Sequence, residues 1–441
     1  MKLSKTKILF LLATFLVAHH NYAQDSIPLS LNEAINLALD KNVDITITNY
    51  QVNASEFALK EVKGAVLPKL YATANYNRHI DRQVIFLPDA FGTGETATKL
   101  GSDNDYRATL NLALPVYSRF NKNNKKLFEN RLRYQNEAAR NAKQNVINTI
   151  KKAYFNYLIA QEMVKVQQKQ LKSAEETFTD VEKRKKQGTL TDYDFTTAKV
   201  QVAQAKNSLL EAQNTILPLA NHLKLVLGLK TEMNLKLTES IELLENELVL
   251  EDNPSELLSQ NSSLKQLELD IELSKNQIDL AKSAFYPTLD AVGAYNYQAQ
   301  EDNFNLADYQ WVNTSFVGLQ LQFNIFNGFI NKNKLQQAKI TKDIAQEQKN
   351  HTTEALKMQL EELLSQLDFT KQKIEVQQEN MNLTEDALTL AKKRYRLGVG
   401  TFLEVNNAEL SYTQARVFWL QAISDYKAAY YDYQLLIGQD K

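Results

Sequence analysis

Two stretches of this chain, residues 116–187 and 329–397, contain neither glycine nor proline. Each is about 70 residues long, which as continuous helix would reach roughly 100 Å at ~1.5 Å per residue. Helices in globular domains are seldom a third of that length. Few folds accommodate two such rods in 441 residues.

The rods carry a seam. Val146, Ile150, Ala153, Tyr157, Ala160, Val164, Gln167, Leu171, Ala174, Phe178 and Val181 alternate spacings of four and three, and only Gln167 is polar. This is a heptad pattern, which predicts helix packed against helix. The same spacing recurs 210 residues on, at Leu356, Leu360, Leu363, Leu367, Thr370, Ile374, Gln377, Met381, Thr384, Leu388 and Ala391. The register repeats down to the glutamine, which two unrelated coiled coils would not reproduce.

The flanks recur too. VLPKLYATANYN at 66–77 matches FYPTLDAVGAYNY at 285–297, LPVYSRFNKN at 114–123 matches FNIFNGFINKN at 323–333, and LVLGL at 225–229 matches LLIGQ at 435–439. The chain therefore divides into two tandem repeats, 24–230 and 253–441. Between them lies a Glu-rich linker, 231–252, whose alternation NLKLTESIEL predicts a short strand. Each repeat is expected to hold a helix, a strand pair and a long helical hairpin.

The strand pairs fall at about 68–117 and 287–326. Leu70, Ala72, Ala74 and Tyr76 alternate with polar residues, as do Tyr106 through Val116, Leu289 through Tyr297, and Val317 through Ile325. Period two with one apolar face marks a strand exposed to two different environments. Each run is about 10 residues, long enough to cross a membrane as a tilted strand. Tyr106, Tyr117, Tyr286, Trp311 and Phe326 cluster at the strand ends, as in an interfacial aromatic girdle. A soluble sandwich would also alternate. Residues 81–104 and 298–310 read as polar loops.

The N-terminus orders Lys2, Lys5 and Lys7, an apolar run over 8–18 and a small residue, Ala23. That is the pattern of a secretory signal peptide, assigned to 1–23. Its removal takes three lysines from a chain of net charge −1, leaving a modest acidic excess. No basic field points to nucleic acid. No later apolar run is free of charges, so any membrane crossing must use strands. Four strands cannot close a barrel, and open edges are not tolerated in lipid. Several copies would have to pool their strands around a water-filled lumen, with the helices continuing it out of the membrane. The rival reading is a periplasmic coiled-coil scaffold or adhesion protein, with heptads but no barrel.

No enzymatic constellation is present. The chain has no cysteine, which excludes a thiol nucleophile, a disulfide scaffold and a cysteine-borne lipid anchor. His79, His222 and His351 stand apart, with no partner at metal spacing. No cofactor or metal is expected.

The two hairpin turns are QGTLTDYDFTTAKVQVAQA at 187–205 and LGVGTFLEVNNAELSYTQA at 397–415. Both space Gly, an acid and Ala alike, as Gly188, Asp194, Ala198 and Gly398, Glu404, Ala408. Together with the duplicated architecture, which covers essentially the whole mature chain, these turns resemble the TolC-type outer membrane efflux proteins. The resemblance implies an α+β membrane protein: a homotrimer whose 12-stranded β-barrel, four strands per chain, continues into a periplasmic α-helical coiled-coil barrel. It implies an exit duct in the outer membrane of a Gram-negative bacterium. The duct would export passively, served by a periplasmic adaptor and an inner-membrane pump of the resistance-nodulation-division type or an ABC exporter.

By the same resemblance, the turns are the periplasmic tips, and repeat two narrows the entrance. Glu404 matches an acidic constriction position, where a ring would attract cations. Asn407 stands where a second acid is common, which weakens the ring. Asp194 and Tyr395 match positions linked across the closed entrance, while Gly400 replaces a basic gate residue. Gly188, Thr189, Leu190, Gly398 and Val399 are expected to contact the adaptor. Asp194 and Glu404 would equally serve as carboxylates at helix N-termini.

Overall fold

The computed structural model describes residues 27–86, 97–241 and 258–439. The signal-peptide assignment and residues 242–252 of the linker lie outside them. In chain order the elements are β1 (Ile27–Leu29), α1 (Leu31–Lys41), α2 (Val43–Gly64), β2 (Lys69–Arg78), β3 (Val84–Phe86), β4 (Ala97–Lys99), β5 (Asn104–Ser118), α3 (Arg119–Lys186), α4 (Asp192–Val226), β6 (Leu235–Leu237), α5 (Ser262–Ser283), β7 (Thr288–Glu301), β8 (Val312–Gln322), α6 (Ile330–Arg396) and α7 (Phe402–Ile437). The two glycine- and proline-free rods are single helices, α3 of 68 residues and α6 of 67. Residues cluster spatially into two compact units, and each unit draws on both repeats.

One unit comprises Tyr50–Glu137 and Gln266–His351 and contains a four-stranded antiparallel sheet, ordered β2-β5-β7-β8. Register sorts the side chains by face. Leu70 pairs with Leu112, which pairs with Gly293, which pairs with Val317. Leu110, Leu112, Tyr295, Val317 and Leu319 thus share one exposed apolar face. The other face carries Thr73, Thr109, Asn296 and Thr314 at one level across all four strands. There the Thr109 hydroxyl donates to Asn296 Oδ1 at 2.7 Å, and Asn296 Nδ2 donates to Thr314 Oγ1 at 3.4 Å. Among the described residues β2 and β8 each pair on one side only, so both outer edges of the sheet are open.

Three details depart from the sequence reading. β8 ends at Gln322 and does not run to Ile325. Gly328 and Phe329 take positive φ, 64° and 62°, which turns the chain into α6 and stops the extended run early. The stretch 81–104 is not wholly loop: β3 and β4 pair within it as a short ribbon. β7 likewise continues to Glu301, four residues into the stretch read as loop. Pro115 lies inside β5, at the register shift between Pro115 and Tyr117. A residue without an N–H interrupts the ladder there, so the strand bulges.

The other unit contains 138–265 and 352–441 with the N-terminal residues up to Asn49. Seam positions are buried as the heptads require: Val146, Ile150 and Tyr157 of α3 pack with Ala34 and Ala38 of α1 and with Ala220 and Leu223 of α4. Ile150 and Leu223 are wholly buried, so truncating either to alanine should cost about 2–5 kcal/mol. In the second repeat Leu360, Leu363 and Leu367 of α6 pack on Tyr426, Ala429 and Tyr433 of α7. The linker does supply a strand, β6, which pairs in parallel with β1. Gly228 and Gly438 occupy matching positions after α4 and α7. A Cβ at either would overlap backbone, that of Lys41 or of Gln260.

Candidate functional site

Both hairpin turns lie in the second of these units, and both are built by the same local chemistry. α3 ends at Lys186, and Gly188 takes φ 73°; α6 ends at Arg396, and Gly398 takes φ 77°. In each the chain turns back through a left-handed residue that only glycine adopts without strain. Gly188 N–H donates to the Lys185 carbonyl and Gly398 N–H to the Tyr395 carbonyl, satisfying carbonyls left over at the helix ends. Thr191 and Thr401 then cap α4 and α7, accepting from the N–H groups of Asp194 at 3.1 Å and Glu404 at 3.2 Å.

Asp194 and Glu404 therefore occupy the same place, in the first turn of a threonine-capped helix. A carboxylate there faces the positive end of the helix dipole. Asp194 Oδ2 also accepts from the Thr191 hydroxyl at 2.7 Å. Glu404 instead has a basic neighbour: Arg394 Nε lies 3.7 Å from its Oε2. Arg394 further donates to the Val399 carbonyl. Gly400 makes room for this arrangement, since a Cβ there would crowd Arg394, Glu404 and the Tyr395 backbone at 2.9–3.1 Å. Asn407 is exposed.

Tyr395 is 5% exposed, in a cluster with Val181, Ala198, Phe402 and Val405. The structure brings it near Asp194, but the two are not hydrogen-bonded within one chain. Its hydroxyl has no hydrogen-bond partner among the described residues. Burial pushes the phenol up, opposed by the Arg184 charge and assisted by those of Asp180 and Asp194. Arg184 of α3 is what holds this residue: its guanidinium sits over the Tyr395 ring and donates to the Tyr395 carbonyl. Lower in the hairpins, Lys392 of α6 donates to Ser173 Oγ of α3 and pairs with Glu409 of α7 at 3.4 Å.

At the turns themselves Gly188, Thr189, Gly398 and Val399 are exposed, whereas Leu190 is half-buried against the Tyr395 cluster. A Cβ on Gly188 or Gly398 would meet nothing within 4 Å. Lys185 closes the first turn: it pairs with Asp192 at 2.8 Å and lies over the Phe195 ring. That contact holds the exposed Asp192 carboxyl below its ordinary range. Sequence reasoning missed Arg184 and Arg394. A signal for them existed, since they are themselves 210 residues apart, each four before its turn glycine.

Similarity to known proteins agrees with this geometry. The chain is 22% identical over 397 residues to the toluene efflux pump outer membrane protein TtgC of Pseudomonas putida, covering 88% of this chain and 79% of TtgC. It is 24% identical over 390 residues to outer membrane protein OprJ of Pseudomonas aeruginosa, covering 86% and 78%. Its fold matches the open-state MtrE outer membrane channel of Neisseria gonorrhoeae with a TM-score of 0.77 at 19% identity, over 92% of this chain and 88% of that one. It matches outer membrane protein VceC of Vibrio cholerae with a TM-score of 0.73 at 17% identity, over 92% and 96%. The family model described as outer membrane efflux protein fits residues 34–229 and again 253–439, and this chain belongs to that family.

Proposed function

We propose that this chain is the outer membrane exit duct of a tripartite export system, assembled as a homotrimer. The observation that carries the reading is the open sheet. Its apolar face is exposed, with Val317 at 88%, and its two outer strands have unused ladder groups. Hydrocarbon tolerates the first and forbids the second. Three copies pairing β2 with a neighbour's β8 satisfy both demands with twelve strands, and the polar face with its Thr109–Asn296–Thr314 row then lines the lumen.

The hairpin tips form the periplasmic entrance in this reading. Glu404 rings the constriction and Asn407 leaves the ring weak. Asp194 and Tyr395 lie at the contact between outer and inner hairpins, and Gly188, Thr189, Leu190, Gly398 and Val399 meet a periplasmic adaptor. An inner-membrane pump supplies the energy. Relatives named for toluene, antibiotic and solvent efflux favour small organic cargo, and hence a drug-type pump, over protein secretion.

Reconstitution tests the reading. Protein extracted from outer membranes should run as a detergent-stable trimer and give stepwise conductance in planar bilayers. A soluble monomer without conductance would overturn it.

A further inference from the structure

The four-stranded sheet is charged differently at its two ends. At the end away from the long helices, basic groups are matched by acids. Arg82 pairs with Asp103 at 2.7 Å and with Asp302 at 2.6 Å, and Arg107 with Asp105 at 3.6 Å. Where the strands run into α3 and α6, basic groups are left over. Arg119, Lys122 and Lys126 of α3 and Lys332, Lys334 and Lys339 of α6 pair with no carboxylate among the described residues. All but the half-buried Arg119 are exposed.

The placement is repeated. Asn121, Lys122 and Asn123 recur 210 residues on as Asn331, Lys332 and Asn333, at the start of each helix. Both copies are anchored at the end of α5. Asn123 Nδ2 donates to the Asp279 carbonyl at 2.8 Å, and Asn331 Nδ2 to the Ala284 carbonyl at 3.3 Å. The lysines thus sit on fixed backbone.

A cavity of about 550 Å³ lies at the first junction. Val66, Val116 and Tyr117 give it apolar walls, and Arg119 and Lys122 give it two cations. Tyr117 pairs with Leu289, so it belongs to the apolar face of the sheet. The Arg119 guanidinium lies 3.8 Å from the centre of the Tyr286 ring and makes no hydrogen bond or ion pair among the described residues. The stack orients the guanidinium and leaves its N–H groups unspent. Lys122 follows three residues on, on the same side of the helix.

Two unpaired cations beside an apolar wall fit an amphiphile with an anionic head. We propose that this cavity binds an anionic phospholipid. Arg119 and Lys122 hold its phosphate, and its chains lie along the apolar face of the sheet. Lys332, Lys334 and Lys339 extend the same attraction around the junction. A free anion would use the cations alone and leave Val66, Leu67, Val116 and Phe120 in water; acyl chains cover them. The inference rests on the duct reading for the leaflet concerned, the one facing the periplasm.

Native mass spectrometry of the trimer tests it. Protein stripped of lipid in detergent, then offered equal amounts of phosphatidylglycerol and phosphatidylcholine, should retain the former. A basic side chain at an anionic lipid surface is worth about a fivefold gain in affinity, so Arg119→Gln should lower retention by roughly that factor. Lys122 is exposed and unpaired, so Lys122→Glu leaves the fold alone and should lower retention by more than the loss of one charge. Arg78→Ala removes a cation stacked on Phe304 at the opposite end of the sheet, and should change nothing. Inorganic phosphate equimolar with the lipid should not displace it. Equal retention of the two lipids, full retention in Lys122→Glu, an equal loss in Arg78→Ala, or displacement by phosphate would each overturn the lipid site, while a conducting trimer keeps the duct reading intact. A wild-type protein that is monomeric and non-conducting overturns both.

Discussion

The guanidinium of Arg184 lies 4.3 Å from the centre of the Tyr395 ring and donates a 2.9 Å hydrogen bond to the Tyr395 carbonyl. One residue thus ties the end of the first hairpin's rising helix to the end of the second's. A charge-assisted hydrogen bond with a cation–π contact is worth roughly 1–3 kcal/mol at a half-buried site. Arg184→Ala should loosen the tip by about that much. Amide hydrogen exchange should quicken over 392–404 while the strands stay protected. Single-channel recordings should show larger or more frequent openings. Arg184→Lys keeps the charge without the planar fork, and should fall between the two.

Glu404 shares its charge with Arg394, 3.7 Å away on the same hairpin. Removing the arginine should therefore expose the acid. Arg394→Ala should raise cation preference in a reversal-potential measurement under a salt gradient, and Glu404→Gln should lower it. Equal and opposite shifts are not expected, because Arg394 also donates to the Val399 carbonyl and its loss disturbs the turn.

Gly398 has φ 77°, and open space where a Cβ would go. Backbone strain alone penalises a small side chain, by about 1 kcal/mol. Gly398→Ala should keep near-normal export. Gly398→Trp projects bulk from the exposed tip, and should abolish export while the trimer persists on a native gel. Drug susceptibility together with that gel separates loss of docking from loss of assembly.

Lys185 holds the Asp192 carboxyl low through a 2.8 Å contact. A carboxylate with a depressed folded-state pKa stabilises above its unfolded value, and the effect is lost as pH falls through the folded one. Protection of the first tip should be constant at neutral pH and decline below the ordinary carboxylate range. In Asp192→Asn that decline should be absent from hydrogen-exchange profiles at the tip.

The two faces of the sheet should respond differently to charge. Val317→Arg places a guanidinium on the exposed apolar face, at a cost of about 2–4 kcal/mol near a bilayer midplane. Gln320→Arg, on the opposite face of the same strand, should be tolerated. Thermal dissociation of the trimer in lipid vesicles distinguishes the two.

The sequence by itself determined the long helices, their seams, the duplication, the strand faces and the position of both turns. These follow from local periodicity and from where glycine falls, and they read the same whatever the chain packs against. Even Asp194 and Glu404 were legible as helix-end carboxylates, since capping spans only three residues. β8 ended sooner than its alternation implied, because the backbone at Gly328 and Phe329 was committed to entering α6.

Tertiary structure alone decided which neighbour each seam meets. Val166 and Val376 occupy the same heptad position, yet one is buried on α7 and the other is bare. Arg184 and Arg394 are likewise matched in sequence, but one grips Tyr395 and the other faces Glu404. A heptad specifies that a face must be covered and leaves open by what. The residues that cover Val166 lie on α7, in the other repeat, where no periodicity in α3 can encode them.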